Sequence, residues 1–193
     1  KQADGYKITA IDPAGEALEI SSKIVINCAG LGADKVTALA GFDLEQNQYR
    51  QHYCKGEYFN VSNRHAGKIN HLVYPVPTAY SLGIHTRLRL DGTLALGPNA
   101  YYVDEINYEV DNAHQDEFYT SVKDFLPYIE FNDLSPEMAG IRAKLQGPGE
   151  NVRDFVIREE SDNGFPGLIN LIGIDSPGLT SAPAIAEYVA GLL

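Results

Sequence analysis

One stretch constrains this chain more than any other. Lys23-Ile24-Val25-Ile26-Asn27-Cys28 is a β-branched run, suited to a strand buried on both faces of a parallel sheet. It stops at Ala29-Gly30-Leu31-Gly32, and a short helix is expected from about Ala33 to Ala40, ended by Gly41. Gly30-Leu31-Gly32 imitates the start of a dinucleotide fingerprint. The third glycine position is Lys35, whose side chain would spoil close helix–strand packing, so that reading is rejected. A narrower one survives: the strand delivers two small residues, Ala29 and Gly30, to the C-terminal edge of a sheet. Open α/β sheets bind ligands there, and backbone without Cβ bulk can touch a flat cofactor. The residue types alone fit a plain βα turn at least as well.

The rest of the chain is richer in strands. Gly5–Ile11 and Ala17–Ile20 flank an Asp-Pro-Ala-Gly turn. From Tyr49 to about Ile129 aromatics become frequent, and Tyr53–Val61, Leu72–Pro75, Ser81–Leu90 and Thr93–Gly97 read as strands. Asp91-Gly92 signals a two-residue hairpin loop. Asn112–Tyr128 reads as a helix, capped by Asn112 with Gln115 completing a capping box. Strands are expected at Gly140–Leu145, Asp154–Glu160 and Leu168–Ile172, then a helix at Thr180–Leu193 with Thr180 or Ser181 as its cap. The middle block reads as inserted between two flanking pieces that share one sheet.

Net charge is −11, which argues against a nucleic-acid partner, since such partners need a basic footprint. An anionic small molecule is recognised by local charge and is still allowed. No stretch approaches the ~20 apolar residues of a membrane helix. Two cysteines, Cys28 and Cys54, read as buried or half-buried thiols in a reducing compartment, and five scattered histidines give no metal spacing, so no metal site is expected. Lys1 to Tyr6 is polar and the first residue is not Met, so the chain reads as an excised piece without a signal peptide.

Four signals carry chemistry. The first is the Ala29-Gly30 turn. The second is Ser176-Pro177-Gly178-Leu179-Thr180 ahead of an apolar helix, whose free amides and dipole attract anions; an ordinary capped helix fits equally. The third is the hairpin at 82–97, where alternation puts His85, Arg87 and Arg89 on one face. A two-residue loop would set Arg87 opposite Leu96 and Arg89 opposite Leu94, making that face half apolar. It then either faces solvent with arginine stems over leucines or lines a cavity for an anion. The fourth is Arg142, a cation between apolar neighbours in a strand, which needs a carboxylate from the chain or from a substrate. The tyrosines Tyr53, Tyr58, Tyr74, Tyr80, Tyr101 and Tyr102 crowd the middle block, where one or two could donate hydrogen bonds in a pocket.

KIVINCAGLG (23–32), KGEYF (55–59), VYPVP (73–77), LGIHTRLRLDGTLALGPN (82–99), MAGIRAKL (138–145) and LIGIDSPGLTSAPAIAE (171–187) fall in order along the chain. Together they resemble the L-2-hydroxyglutarate dehydrogenases, within the D-amino-acid oxidase-like group of FAD enzymes. The resemblance implies an α+β fold, with an incomplete FAD-binding lobe (1–47 and 140–193) and a mixed β-sheet substrate-binding lobe (48–139) flanked by helices. It implies FAD contacts at Ala29, Gly30, Ser176, Pro177, Gly178, Leu179 and Thr180. It makes Arg142 the partner of the substrate α-carboxylate. Lys55, Tyr58, Tyr74 and Arg87 are further substrate-site candidates, and His85 is the candidate base. Members of the group begin with a strand and G-x-G-x-x-G, which an upstream segment is expected to supply. The implied partner is a small anionic 2-hydroxy acid; no motif selects an electron acceptor. A cytoplasmic or peripheral inner-membrane location follows if the source is bacterial. Alternatives are a sister amine or amino-acid oxidase, a glycerol-3-phosphate dehydrogenase, or a non-catalytic domain binding an anionic metabolite or a protein.

Overall fold

A computed structural model describes residues 1, 5–76 and 83–193. In chain order the elements are β1 (Tyr6–Ile11), β2 (Ala17–Ser22), β3 (Val25–Asn27), α1 (Ala33–Leu39), β4 (His52–Val61), β5 (His85–Leu88), β6 (Leu94–Gly97), β7 (Tyr101–Val103), α2 (Gln115–Val122), β8 (Leu134–Lys144), β9 (Val156–Glu160), β10 (Phe165–Ile172) and α3 (Gly178–Ala190). The chain divides into two units, Lys1–His52 with Ala143–Leu193, and Tyr53–Arg142. The expected lobe limits were residues 47/48 and 139/140.

In the first unit β1 and β2 form an antiparallel hairpin whose turn is tied by the Asp12 carboxylate, which accepts from the Ala14 and Glu16 amides at 2.9 and 2.8 Å. β3 runs parallel to β10, from Val25 beside Leu168 to Asn27 beside Asn170, and β10 is antiparallel to β9. The parallel pair is sewn to α1 by buried polar side chains. Asn27 donates to Thr37 Oγ1 at 2.9 Å and to Asn170 Oδ1 at 3.1 Å, and Asn170 donates to the fully buried Glu160 at 3.0 Å. Such a network is stabilising only because each member is satisfied. The strand expected to be buried on both faces is not: Ile24 and Ile26 are 43% and 44% exposed, while Asn27 faces inward.

In the second unit β5, β6, β4 and β7 lie in that order, with β8 also paired to β4. One face of this sheet meets α2. Phe59, Val61, Leu94 and Leu96 pack with Phe118 and Val122, the Phe59 and Phe118 rings 4.5 Å apart. An aromatic pair of this kind adds about 0.5–1.5 kcal/mol beyond its buried area.

Local chemistry corrects several expectations. Leu72–Pro75 is not a strand; Val73 is tethered to Thr86 by two hydrogen bonds, 2.7 and 3.0 Å. The long helix breaks up. Asp111, not Asn112, caps its first turn by accepting from the Ala113 amide at 2.9 Å, and Gln115 reaches Phe131 O instead of folding back. α2 stops at Val122 and gives way to turns in which the Leu126 amide still bonds Val122 O at 2.8 Å; Pro127, which cannot donate and restricts Leu126, bars the helix from reaching Tyr128. β8 starts earlier than anticipated, at Leu134. α3 starts at Gly178 with no side-chain cap, because Thr180 and Ser181 donate back to Pro177 O at 2.9 and 2.8 Å. Cys28 is exposed and Cys54 buried. Among the described residues no helix is long and apolar enough to cross a membrane.

Candidate active site

Strand alternation decides which side chains can meet. In β4 the residues Lys55, Glu57, Phe59 and Val61 share the α2 face, so Cys54, Gly56, Tyr58 and Asn60 share the other. β6 sets Ala95 beside Asn60 and β5 sets Arg87 beside Ala95 and His85 beside Gly97. Directly paired residues point the same way. His85, Arg87, Tyr58 and Asn60 therefore stand on one face, away from the apolar core.

The hairpin register corrects the expected one. Leu88 pairs with Leu94, Arg89 donates to Thr93 O at 3.0 Å, and Gly92 takes φ +81°. The loop is three residues long, with glycine in the left-handed position, and this moves the register by one. Arg87 faces Ala95 instead of Leu96, and Leu94 and Leu96 turn into the core. The basic face is thus paved with Ala95, Gly97 and Thr93, and not with leucine. Ser81, Leu82, Pro77 and Tyr80 lie outside the described residues.

His85 is half-buried. Its Nδ1 lies 3.0 Å from Gly83 O, and its ring stacks on Tyr74 with centroids 4.2 Å apart. A carbonyl only accepts, so Nδ1 carries the hydrogen and the neutral ring keeps its lone pair on Nε2. Arg87 lies over the Tyr58 ring at 5.2 Å and reaches Glu137 Oε1 at 3.3 Å. Arg89 holds the same oxygen at 2.6 Å. Glu137 Oε2 is buried and has no partner among the described residues.

Arg142 comes from β8 beside β4 and is half-buried. Its Nη1 lies 3.9 Å from Cys54 Sγ, and among the described residues no carboxylate pairs with it. The space it fills exists because residue 56 is glycine: a Cβ there would fall 3.0 Å from Arg142 Nη1, from Asn99 O and from Pro98 Cβ. A half-buried cation without an anion in the chain is free to take one from solution.

Lys55 does not join this group. It lies on the opposite face, 5% exposed, where its ammonium bonds Glu109 O and sits 3.3 Å from Glu57 Oε1. Glu57 also accepts from Tyr101 (2.7 Å), the Asp111 amide (3.1 Å) and His114 (2.5 Å). Burial alone would raise the Glu57 carboxyl, but the Asp111 amide and these side chains outweigh it and hold it below the ordinary carboxylate value. Burial and the Glu57 hydrogen bond push the Tyr101 hydroxyl upward. Sequence reasoning missed Glu57; alternation would have shown that Lys55 and Tyr58, three apart, point to opposite faces.

In the first unit the Ala29-Gly30 turn and the loop before α3 follow β3 and β10, whose parallel pairing brings their C-terminal ends to one edge. Gly30 takes φ +57° and opens a 3₁₀ turn to Gly32; a Cβ there would meet nothing within 4 Å. Lys144 anchors the second loop through Asp175 at 2.8 Å, and Leu179 is 91% exposed. Gln51 was not foreseen. Its Nε2 donates to Gly30 O at 3.0 Å and its Oε1 accepts from the Gly173 amide at 2.7 Å. No group of three metal-ligating side chains occurs among the described residues.

The family described as FAD dependent oxidoreductase matches residues 2–192. The mitochondrial L-2-hydroxyglutarate dehydrogenase of Arabidopsis thaliana is 38% identical over 184 residues, covering 90% of this chain and 38% of its own. The glycerol 3-phosphate oxidase of Mycoplasma genitalium is 34% identical over 179 residues, covering 91% and 44%. Among solved structures, the dithionite-reduced L-α-glycerophosphate oxidase of Mycoplasma pneumoniae with FAD bound has a TM-score of 0.73 at 28% identity, covering 96% of this chain and 48% of that one. The chain thus spans less than half the length of these relatives.

Proposed function

We propose, because the chain belongs to the family of FAD-dependent oxidoreductases, that it is part of an enzyme that oxidises L-2-hydroxyglutarate, or a close 2-hydroxy acid, to the 2-oxo acid. The observation that carries this reading is Arg142. It is half-buried, has no carboxylate partner among the described residues, and belongs to the sheet that also presents His85. A guanidinium grips a carboxylate with two parallel hydrogen bonds, which fixes the orientation of the adjacent C2. His85 Nε2 then takes the proton of the C2 hydroxyl, its orientation held by Gly83 O and the Tyr74 ring. The distal carboxylate falls to Arg87, whose side chain is 38% exposed and whose contact with Glu137 is long. Lys55 is withdrawn from the substrate, since it holds Glu57.

FAD, when bound, supplies the two-electron acceptor for the C2 hydrogen. The residues of the first unit fit it on two grounds. Gly30 leaves an open surface where a side chain would stand, and α3 has no side-chain cap at its N-terminus. Ala29, Gly30 and Ser176–Thr180 would hold the flavin, with the first amides of α3 favouring negative charge. A second reading, glycerol 3-phosphate as substrate, is supported by the relationship to the Mycoplasma oxidases, and its phosphate would take the same arginines. Assaying the full-length protein with a dye acceptor against L-2-hydroxyglutarate, sarcosine and glycerol 3-phosphate separates these: the first reading requires turnover with the hydroxy acid, and turnover with glycerol 3-phosphate alone overturns it.

A further inference from the structure

We infer that Gln51 couples the two turns that the reading above assigns to FAD, and positions them as one surface. The inference rests on that reading. β3 and β10 hydrogen-bond side by side only as far as Asn27 and Asn170. Beyond those residues the chains leave the ladder, β3 into Ala29-Gly30 and β10 into Gly173 and the loop to α3. Both turn glycines sit in the left-handed region, Gly30 at φ +57° and Gly173 at φ +73°. Neither conformation is dictated by a preference of glycine, which populates both signs of φ. Bonds within a turn, such as that from the Gly32 amide to Ala29 O at 3.0 Å, shape it but do not set its distance from the other turn.

Gln51 supplies the missing link. It precedes β4 and is 7% exposed. Its Nε2 donates to Gly30 O at 3.0 Å, its Oε1 accepts from the Gly173 amide at 2.7 Å, and its own amide donates to Asp34 Oδ2 at 3.2 Å. The bridge needs a donor and an acceptor on one planar head. Among side chains of this length only a carboxamide has both: glutamate lacks the donor, lysine the acceptor, and methionine has no donor and only a weak acceptor. Gly173 is also seated on Leu145, since a Cβ there would fall 2.6 Å from Leu145 Cγ. One side chain therefore sets the spacing between the exposed backbone of Gly30 and the start of the loop to α3.

The test uses the full-length protein, stripped of flavin and titrated with FAD by fluorescence, together with amide hydrogen exchange over residues 29–32 and 173–180. Gln51→Met should raise the FAD Kd by about tenfold or more and speed exchange at the Gly173 amide, which loses its acceptor while Gly30 O loses its donor. Gln51→Glu should keep the Gly173 amide protected, since the acceptor remains, and still weaken FAD, since Gly30 O loses its donor. Tyr6→Phe, which removes the hydrogen bond to Pro166 O elsewhere in the same unit, should lower Tm and leave the FAD Kd within about twofold of the wild type. A Gln51→Met protein that binds FAD like the wild type, in a protein that does bind FAD, overturns the coupling alone. A wild-type full-length protein that takes up no FAD overturns the flavin reading and this inference with it.

Discussion

Gly56 and Arg142 touch so closely that one methyl group separates a working arrangement from a crowded one: a Cβ on residue 56 would stand 3.0 Å from the guanidinium and 3.0 Å from Asn99 O. The guanidinium can swing aside, but the Asn99 backbone cannot. Gly56→Ala should therefore displace Arg142 from the carboxylate position. Steady-state kinetics of the full-length enzyme should show KM for the hydroxy acid raised about tenfold, with kcat changed little. An unchanged KM would remove Arg142 from the substrate.

If His85 Nε2 accepts the hydroxyl proton, His85→Asn keeps a hydrogen-bonding side chain and loses the base. Single-turnover flavin reduction should slow by about a hundredfold or more, within the range for general-base catalysis. Tyr74→Phe keeps the ring that stacks on His85 and should reduce at close to the wild-type rate. Fast reduction in His85→Asn makes the residue structural.

Glu137 shares one oxygen between Arg87 and Arg89 and so offsets their charge. Glu137→Gln should free part of that charge and lower KM for a dicarboxylate by about three- to tenfold, while a monocarboxylate such as L-lactate responds less. Equal responses of the two substrates would take Arg87 out of the distal position.

On the opposite face, Glu57 binds the buried Lys55. Glu57→Gln leaves that ammonium unpaired, and breaking such a pair costs about 3–5 kcal/mol. The Glu57 carboxyl is held below its ordinary value when folded. Its contribution is therefore complete above the unfolded carboxyl pKa of about 4.3 and is lost as pH falls through the folded value. Thermal midpoints measured from pH 7 downward should separate the two proteins most at neutral pH and bring them together in acid. Parallel profiles would mean that Glu57 is not ionised in the folded protein.

Much of this was legible in the sequence, and the failures have physical causes. The order of strands around Ala29-Gly30 and ahead of α3 followed from β-branched runs and glycine punctuation. His85 and Arg87 share a face by alternation alone, and the same parity puts Lys55 and Tyr58 on opposite faces of β4; that Tyr58 joins His85 depends on the pairing of β4, β6 and β5. The hairpin register was not legible, because Asp91-Gly92 fits both a two-residue loop and a three-residue loop with Gly92 in the left-handed position. Pro127 bars the helix from reaching Tyr128, but its end at Val122 was not legible. Asp111 took the cap because either acidic or amide side chain can serve and tertiary packing chose between them. Gln51 carries no local signal: its two partners are 21 and 122 residues away.

What reduces the flavin tests the hydroxy-acid reading most directly. Full-length protein mixed without oxygen with L-2-hydroxyglutarate should lose its oxidised-flavin absorbance at a rate that saturates with substrate, and Arg142→Ala should need far more substrate to reach the same rate. A flavin that stays oxidised with L-2-hydroxyglutarate yet bleaches with glycerol 3-phosphate would contradict it.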